Sequence, residues 1–194
     1  MKRLYTFLFL IFFSFQTSSL ADDISDFQIE GMSIGDSLLD YFSEEEIKKM
    51  SKVIYPKSTK YIKLEYGNST KFDTYESVTF HVKENDKRFI IHTINGVIFF
   101  ENELTKCLNK KKEVVKNLTS IFENIEPRDY DYKYEIDDGK SIAYISDFDF
   151  KDDSSIRVFC INWSEITEKK RNFGDTLSIS ISTNYLLEWL DTAQ

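Results

Sequence analysis

The sequence is poor in the residues that most often build metal centres and catalytic dyads, since its 194 residues include only 2 His and 2 Cys. Proline and glycine are also scarce, at 2 and 6 residues, which excludes collagen-like and Pro/Gly-rich low-complexity chains. The 41% of hydrophobic residues, with 15% aromatics, supply enough apolar material for a packed core. We therefore expect a globular domain with no catalytic residue, no cofactor and no metal ligand.

Positive charge is the second deficit. The chain has 25 Lys and Arg against 33 Asp and Glu, a net charge of -8. Affinity for a phosphate backbone comes from clustered Lys and Arg, so we expect no nucleic-acid partner. The one basic run, Lys110-Lys111-Lys112, is interpreted as a solvated helix face rather than a polyanion site.

Residues 1–21 have the layout of a secretory signal peptide. Lys2 and Arg3 precede an apolar run over 4–15, and Ser19 and Ala21 are the small residues before a cut at residue 22. As a helix, about twelve apolar residues reach about 18 Å, short of a bilayer core of about 30 Å. We therefore expect cleavage, no stable membrane span afterwards, and a periplasmic or secreted product.

The two cysteines, Cys107 and Cys160, are expected to form a disulfide, because an exported chain meets an oxidising compartment. Closing a loop of about 53 residues removes about 4 kcal/mol of unfolded-chain entropy. Two buried free thiols are the alternative.

Hydrophobic periodicity predicts an α+β fold with helices packed on an antiparallel sheet, in the order α-βββ-α-βββ(β)-α. The first amphipathic helix is predicted to open at 31–33, with a cap at Ser33 or Asp36 and a possible second turn at Ser43. A long helix is predicted over 104–125, with Cys107 on its apolar face, and a short closing helix over 185–190.

Strands are predicted from runs of alternating apolar residues. They cover 59–66, 75–83, 88–100, 130–136, 141–148, 156–163 and 176–182, with a polar loop over 165–174. Asn95-Gly96 is interpreted as a bulge or bend, and in the last strand three serines alternate with Leu177, Ile179 and Ile181. Residues 22–194 are expected to form a single domain, and a division into two similar halves, 31–100 and 104–194, stays open.

The string at 35–38, Gly-Asp-Ser-Leu, is similar to the signature of the GDSL esterases and lipases. In that family the serine is the nucleophile and a late Asp-x-x-His element supplies its base. Neither His81 nor His92 has an aspartate three residues before it. A hydrolase using Ser37 is therefore the alternative hypothesis, and Ser37 is interpreted as a residue at the start of a helix.

The two histidines are expected to be neighbours on the sheet. If 84–87 is a turn, Lys83 pairs with Arg88, and His81 and His92 project from one face about 7 Å apart. Two imidazoles without a third ligand bind zinc poorly, so we expect half-exposed strand residues.

Two further patterns have alternative interpretations. The acidic run 147–153 lacks the glycine and glutamate of an EF-hand loop and is interpreted as a hairpin tip. Tyr130, Tyr132 and Tyr134 form a one-sided stripe that we expect to pack against the second helix, and stacking on a sugar or peptide is the alternative.

The stretch 29–43, IEGMSIGDSLLDYFS, resembles the opening of a family of exported proteins of AT-rich marine alphaproteobacteria, and the similarity extends to 95–100 and to the helix of Cys107. The Gly-Met-Ser helix start is also similar to that of the small outer-membrane assembly lipoproteins of the BamE and SmpA group. These resemblances imply location and fold rather than chemistry.

The sequence thus predicts a monomeric exported protein with a non-enzymatic role, either interaction with an envelope protein or binding of a small ligand.

Overall fold

The computed structural model describes residue 24 and residues 27–67, 71–101, 103–122 and 124–193. The predicted leader and its cleavage site lie outside these residues. After a 3₁₀ helix, Leu38–Asp40, the described elements are α1 Glu44–Lys49, β1 Ser51–Tyr55, β2 Ser58–Gly67, β3 Ser77–Lys83, β4 Thr93–Phe99, α2 Leu104–Ile121, β5 Arg128–Lys133, β6 Ile142–Asp149, β7 Ser155–Asn162, α3 Glu165–Arg171, β8 Thr176–Ser182 and α4 Asn184–Ala193.

The eight strands form one antiparallel sheet in the order β1-β2-β3-β4-β8-β7-β6-β5. Strands β1 to β4 are a meander of consecutive neighbours, β5 to β8 are a second meander, and the two join where β4 pairs with β8. Helix α2 carries the chain from β4, in the middle of the sheet, to β5, at its far edge. The mixed α+β class is as predicted, but the sheet has more strands than the predicted order allowed.

The main hydrophobic core lies on the face of the sheet that α2 and the N-terminal turns cover. Phe42 meets Phe80 of β3 with ring centroids 5.9 Å apart, and Phe122 at the end of α2 packs into the same cluster. On this face Cys107 of α2 and Cys160 of β7 form a disulfide, and both residues are fully buried. The predicted disulfide is confirmed, and it fixes the crossover helix to the sheet.

The prediction of a helix opening at 31–33 is wrong. Ile29 and Met32 pair as an isolated antiparallel bridge around Gly31, which has φ 76°. The Ser33 N–H donates to Asp36 Oδ2 at 2.8 Å. This local side-chain bond stabilises a turn in competition with a helix.

Helical structure begins later and in two short pieces. Ser37 caps the 3₁₀ helix, and Ser43 caps α1. The Ser43 hydroxyl accepts a bond from the Glu46 N–H, and the Glu46 carboxylate accepts one from the Ser43 N–H. This capping box confirms the second turn predicted at Ser43.

Strand β4 begins later than expected, at Thr93, because the residues before it pair elsewhere. The Leu38 N–H donates to the Phe89 carbonyl at 3.1 Å, and the Ile91 N–H donates to the Asp36 carbonyl at 2.9 Å. The predicted start of this strand therefore ties down the N-terminal turns instead of extending the hairpin with β3.

The predicted bulge at Asn95-Gly96 is also wrong. Thr79 pairs with Asn95 and Val78 with Gly96 in continuous register. A Cβ on Gly96 would lie 2.5 Å from the ring of Tyr75. The glycine is needed so that this aromatic ring can lie directly on the strand.

Two elements were absent from the prediction. Strand β1 is an edge strand whose apolar residues Val53 and Ile54 are both exposed, so it has no alternating pattern. Helix α3 occupies the predicted polar loop and buries only Thr167. Its start is fixed by the Ser164 hydroxyl, which accepts a bond from the Thr167 N–H.

Candidate functional site

The face of the sheet opposite α2 carries polar side chains through its centre. Directly paired residues of an antiparallel sheet point to the same side, so the register defines rows across the strands. One row crosses six strands and consists of Glu65, Thr79, Asn95, Ser180, Arg157 and Asp147. The row beside it places Ser182 next to Thr93, with their hydroxyls 3.2 Å apart. The floor of this face is thus built from hydroxyl, amide and charged groups.

Helix α4 covers one end of the central strands. The ring of Trp189 lies 5.0 Å from that of Tyr61, and its indole N–H donates to Ser58 Oγ at 2.7 Å. Leu187 and Leu190, also on α4, line a cavity of about 220 Å³ at this end. The apolar side of α4 therefore forms one wall above the polar floor.

Aromatic side chains form the wall at the other end. Trp163, just after β7, lies 4.8 Å from Phe173, which follows α3, and 5.1 Å from Tyr134. These three rings line a second cavity of about 490 Å³. The two cavities share Lys63, Thr79, Asn95 and Phe159, and we call them together the polar groove. Its length follows the central strands β4 and β8, whose seven residues span about 20 Å.

The expectation that the tyrosine stripe packs against α2 is wrong. Tyr130 pairs with Ile145 and Tyr132 with Ala143, which places both tyrosines on the groove side of the sheet. Tyr132 is 51% exposed, and its ring lies 5.0 Å from that of Tyr134. The stripe thus extends the aromatic wall into a ladder of four rings, Tyr132, Tyr134, Trp163 and Phe173, which we call the aromatic ladder.

Three buried polar atoms have no hydrogen-bond partner among the described residues, and two of them belong to residues that line the polar groove. They are Asn95 Oδ1, His81 Nδ1 and Thr183 Oγ1. Asn95 belongs to both cavities and lies in the middle of the floor. Buried polar groups are usually paired, so an unpartnered side-chain oxygen at this place is an exception within the sheet.

His81 lies beside the floor and is 8% exposed, so it is more buried than the half-exposed strand residue that we expected. Its Nε2 lies 2.7 Å from the hydroxyl of Tyr55. Burial, with a smaller effect of the Lys63 charge, lowers the pKa of His81 to about 4. The imidazole is therefore neutral at physiological pH.

Lys63 supplies a positive charge to the polar groove. Its side chain lines both cavities and forms no ion pair with the described residues. Arg157, the other cation at the floor, is already engaged, since its Nε and a terminal nitrogen donate to Asp147 at 2.7 and 2.9 Å. Lys63 is thus the cation of the floor that remains available to a ligand.

Asp147 is the most buried member of the acidic run, at 1% exposure of its side chain. Besides Arg157, it accepts hydrogen bonds from the Tyr130 hydroxyl at 2.8 Å and from Arg128 at 3.3 Å. The run then leaves β6 and turns into β7, where the Phe150 N–H donates to the Ser154 carbonyl. The hairpin-tip interpretation is therefore confirmed.

The predicted register of the histidines is wrong. His81 pairs with Thr93, whereas His92 lies before β4 with its ring 5.0 Å from that of Tyr61. Within the described ranges, no three His, Cys, Asp or Glu side chains are grouped closely enough to hold a metal ion.

The Gly-Asp-Ser-Leu string lies outside the polar groove. Ser37 Oγ donates to the Arg88 carbonyl at 2.5 Å and accepts a bond from the Leu39 N–H at 3.2 Å. Both described contacts of this hydroxyl are with backbone groups, and they cap the 3₁₀ helix. The geometry gives Ser37 a structural role.

Sequence reasoning assigned no binding role to Lys63, Asn95, Arg157 or Trp163. The available signal was the strict alternation of serines in β8, because small hydroxyl residues on one side of a central strand indicate a face that no apolar layer covers. The side of the sheet that each tyrosine occupies depends on the register in which β5 pairs with β6.

No helix among the described residues has the length and apolar character needed to cross a bilayer. Comparisons with protein-family models, with curated proteins and with solved structures found no match.

Proposed function

We propose that the protein is an exported, non-enzymatic binding protein and that the polar groove is its ligand site. The observation that carries this proposal is a cavity of about 490 Å³ that the polar floor and the rings of Tyr134, Trp163 and Phe173 line together. Sites for small molecules typically measure about 300–1,000 Å³ and combine apolar walls with a few polar groups. The polar groove has this composition.

Export is supported by the confirmed disulfide between Cys107 and Cys160, since such bonds persist in oxidising compartments. We propose a periplasmic or secreted location. Cell fractionation followed by N-terminal sequencing should find the chain outside the cytoplasm and beginning at Asp22. A cytoplasmic chain that retains residues 1–21 would contradict this part of the proposal.

Ligand binding can be followed through the two tryptophans, because Trp163 lies in one wall of the polar groove and Trp189 in the helix that forms the other. We would titrate the mature chain with panels of small peptides, neutral and acidic oligosaccharides, nucleotides and fatty acids. At least one class should give a saturable fluorescence change.

The matched variants are Ser180→Phe, which fills the floor, and Ser120→Phe, which places the same ring on an exposed part of α2. Ser180→Phe should abolish the binding and Ser120→Phe should preserve it. The proposal fails if no class binds, or if Ser180→Phe binds as tightly as the unmodified protein.

A further inference from the structure

We propose that the polar groove binds an acidic oligosaccharide, with a carboxylate of the sugar at Lys63 and a neighbouring sugar ring stacked on the aromatic ladder. This inference rests on the proposed function of the polar groove and names the chemical class of its ligand.

The aromatic ladder provides the stacking surface. Its rings follow one another at centroid distances of 5.0, 5.1 and 4.8 Å, and its two terminal rings are well exposed, Tyr132 at 51% and Phe173 at 42%. A pyranose has a face of C–H groups and a rim of hydroxyls. Such a ring suits aromatic side chains that offer an apolar face beside polar groups.

The floor provides complementary hydrogen bonding. Thr79, Ser178 and Ser180 carry hydroxyls that both donate and accept, and sugar hydroxyls have the same capacity. Asn95 also lines both cavities, and its NH2 group can donate to a sugar oxygen. A floor of this kind can form hydrogen bonds with a ligand that has many hydroxyls, which an apolar floor cannot do.

The topology disfavours an extended peptide. Peptides commonly bind sheets by adding a strand to an exposed edge, where main-chain groups are open. The floor belongs to β2, β3, β4, β8 and β7, and each of these strands is paired on both sides. The polar groove therefore offers a ligand side chains rather than backbone amides and carbonyls.

The charge distribution of the protein favours a ligand with one carboxylate over a ligand with many. The protein has a net charge of -8, which repels a polyanion as a whole. Lys63 is the local exception, because it lines both cavities and its ammonium forms no ion pair with a described residue. A ligand with a single carboxylate gains this contact and avoids most of the repulsion.

The test uses isothermal titration calorimetry on the oxidised mature chain with three probes. These are aldotriouronic acid, which is a glucuronic acid joined to xylobiose, its neutral counterpart xylotriose, and the tripeptide Gly-Phe-Asp, which has the same net charge as aldotriouronic acid. The variants are Lys63→Gln and Phe173→Ala. Lys112→Gln removes the same charge from an exposed site on α2 and serves as the control.

Aldotriouronic acid should bind more tightly than xylotriose. Lys63→Gln should lower the affinity for aldotriouronic acid by about tenfold or more, as expected for loss of a hydrogen bond between charged groups. The same substitution should change the affinity for xylotriose by less than about twofold. Phe173→Ala should lower the affinity for both saccharides, and Lys112→Gln should lower the affinity for neither.

Equal effects of Lys63→Gln and Lys112→Gln would overturn the assignment of the carboxylate to Lys63. If neither saccharide binds, the ligand class is wrong. Binding of the tripeptide alone, abolished by Ser180→Phe, would reject the saccharide and keep the polar groove as a binding site. Saccharide binding that survives Ser180→Phe would reject the polar groove itself.

Discussion

Replacing His81 by glutamine should flatten the dependence of stability on pH between pH 7 and pH 5. His81 is buried in β3, and its Nε2 lies 2.7 Å from the Tyr55 hydroxyl. Burial, followed by the Lys63 charge, lowers its pKa from 6.5 to about 4. Glutamine keeps a polar group within reach of Tyr55 and cannot take up a proton in this range.

The sign follows from proton linkage. The unfolded chain protonates His81 near pH 6.5, whereas the folded protein resists protonation until about pH 4. The unfolded state therefore binds more protons in this interval, and the free energy of unfolding falls as the pH falls. The loss from His81 should be about 2 kcal/mol between pH 7 and pH 5, and about 3 kcal/mol once the folded protein is protonated.

The contributions of other titrating groups to the pH dependence of stability can be separated from that of His81. Burial also lowers the pKa of His92, which adds a contribution of the same sign. Hydrogen bonds lower the pKa of Glu46 and of Asp137 to about 2, so the stability that these carboxylates contribute is lost only at lower pH. The interval from pH 7 to pH 5 therefore reports mainly on the histidines, and His92→Gln is the matched control.

The assay is urea unfolding followed by far-UV circular dichroism at half-unit steps of pH. His81→Gln should remove most of the slope seen in the unmodified protein, and His92→Gln should remove less. In parallel, the His81 C2 proton should titrate near pH 4 by NMR. A His81→Gln protein with the full original slope would refute the link between burial of this imidazole and acid sensitivity.

Four further outcomes can be measured. Cys107→Ala combined with Cys160→Ala should lower the free energy of unfolding by about 4 kcal/mol in urea titrations, and a loss below about 1 kcal/mol would contradict the loop-entropy account. The native disulfide should resist reduction and alkylation, because both cysteines are fully buried. Gly96→Ala should destabilise the protein by about 1–3 kcal/mol in the same titrations, since its Cβ would lie 2.5 Å from the Tyr75 ring; an unchanged stability would exclude that clash. Asp147→Ala should lower the free energy of unfolding by about 1–3 kcal/mol. This is less than the loss expected for a fully buried ion pair, because the side chain of the paired Arg157 is 40% exposed. Thermal melts without a shift would contradict this expectation.

Strong local patterns predicted most of the fold. Helix α2 was expected from its apolar stripe, and β8 from the alternation of Leu177, Ile179 and Ile181 with serines. The disulfide followed from the predicted leader and the position of Cys107 on the apolar face of that helix. In these segments, burial on one side leaves a clear period in the sequence.

Several of the failures have a common physical cause, since they depend on how strands pair. The start of β4 was misplaced because residues around Phe89 bond to the N-terminal turns. The side of the sheet occupied by Tyr130 depends on its pairing with Ile145. Lys63 joins Trp163 in one cavity only through the strands that lie between them.

The pairing of β4 with β8 joins the two meanders, and it lies under the proposed ligand site. Asn95 and Ser180 face each other across this join, and they come from opposite halves of the chain. A ligand lying on both side chains would bridge the two meanders as a staple. Pulling β4 away from β8 would divide the proposed binding surface. A bound ligand should therefore raise the force at which the two strands separate, and neither meander alone would carry the complete site.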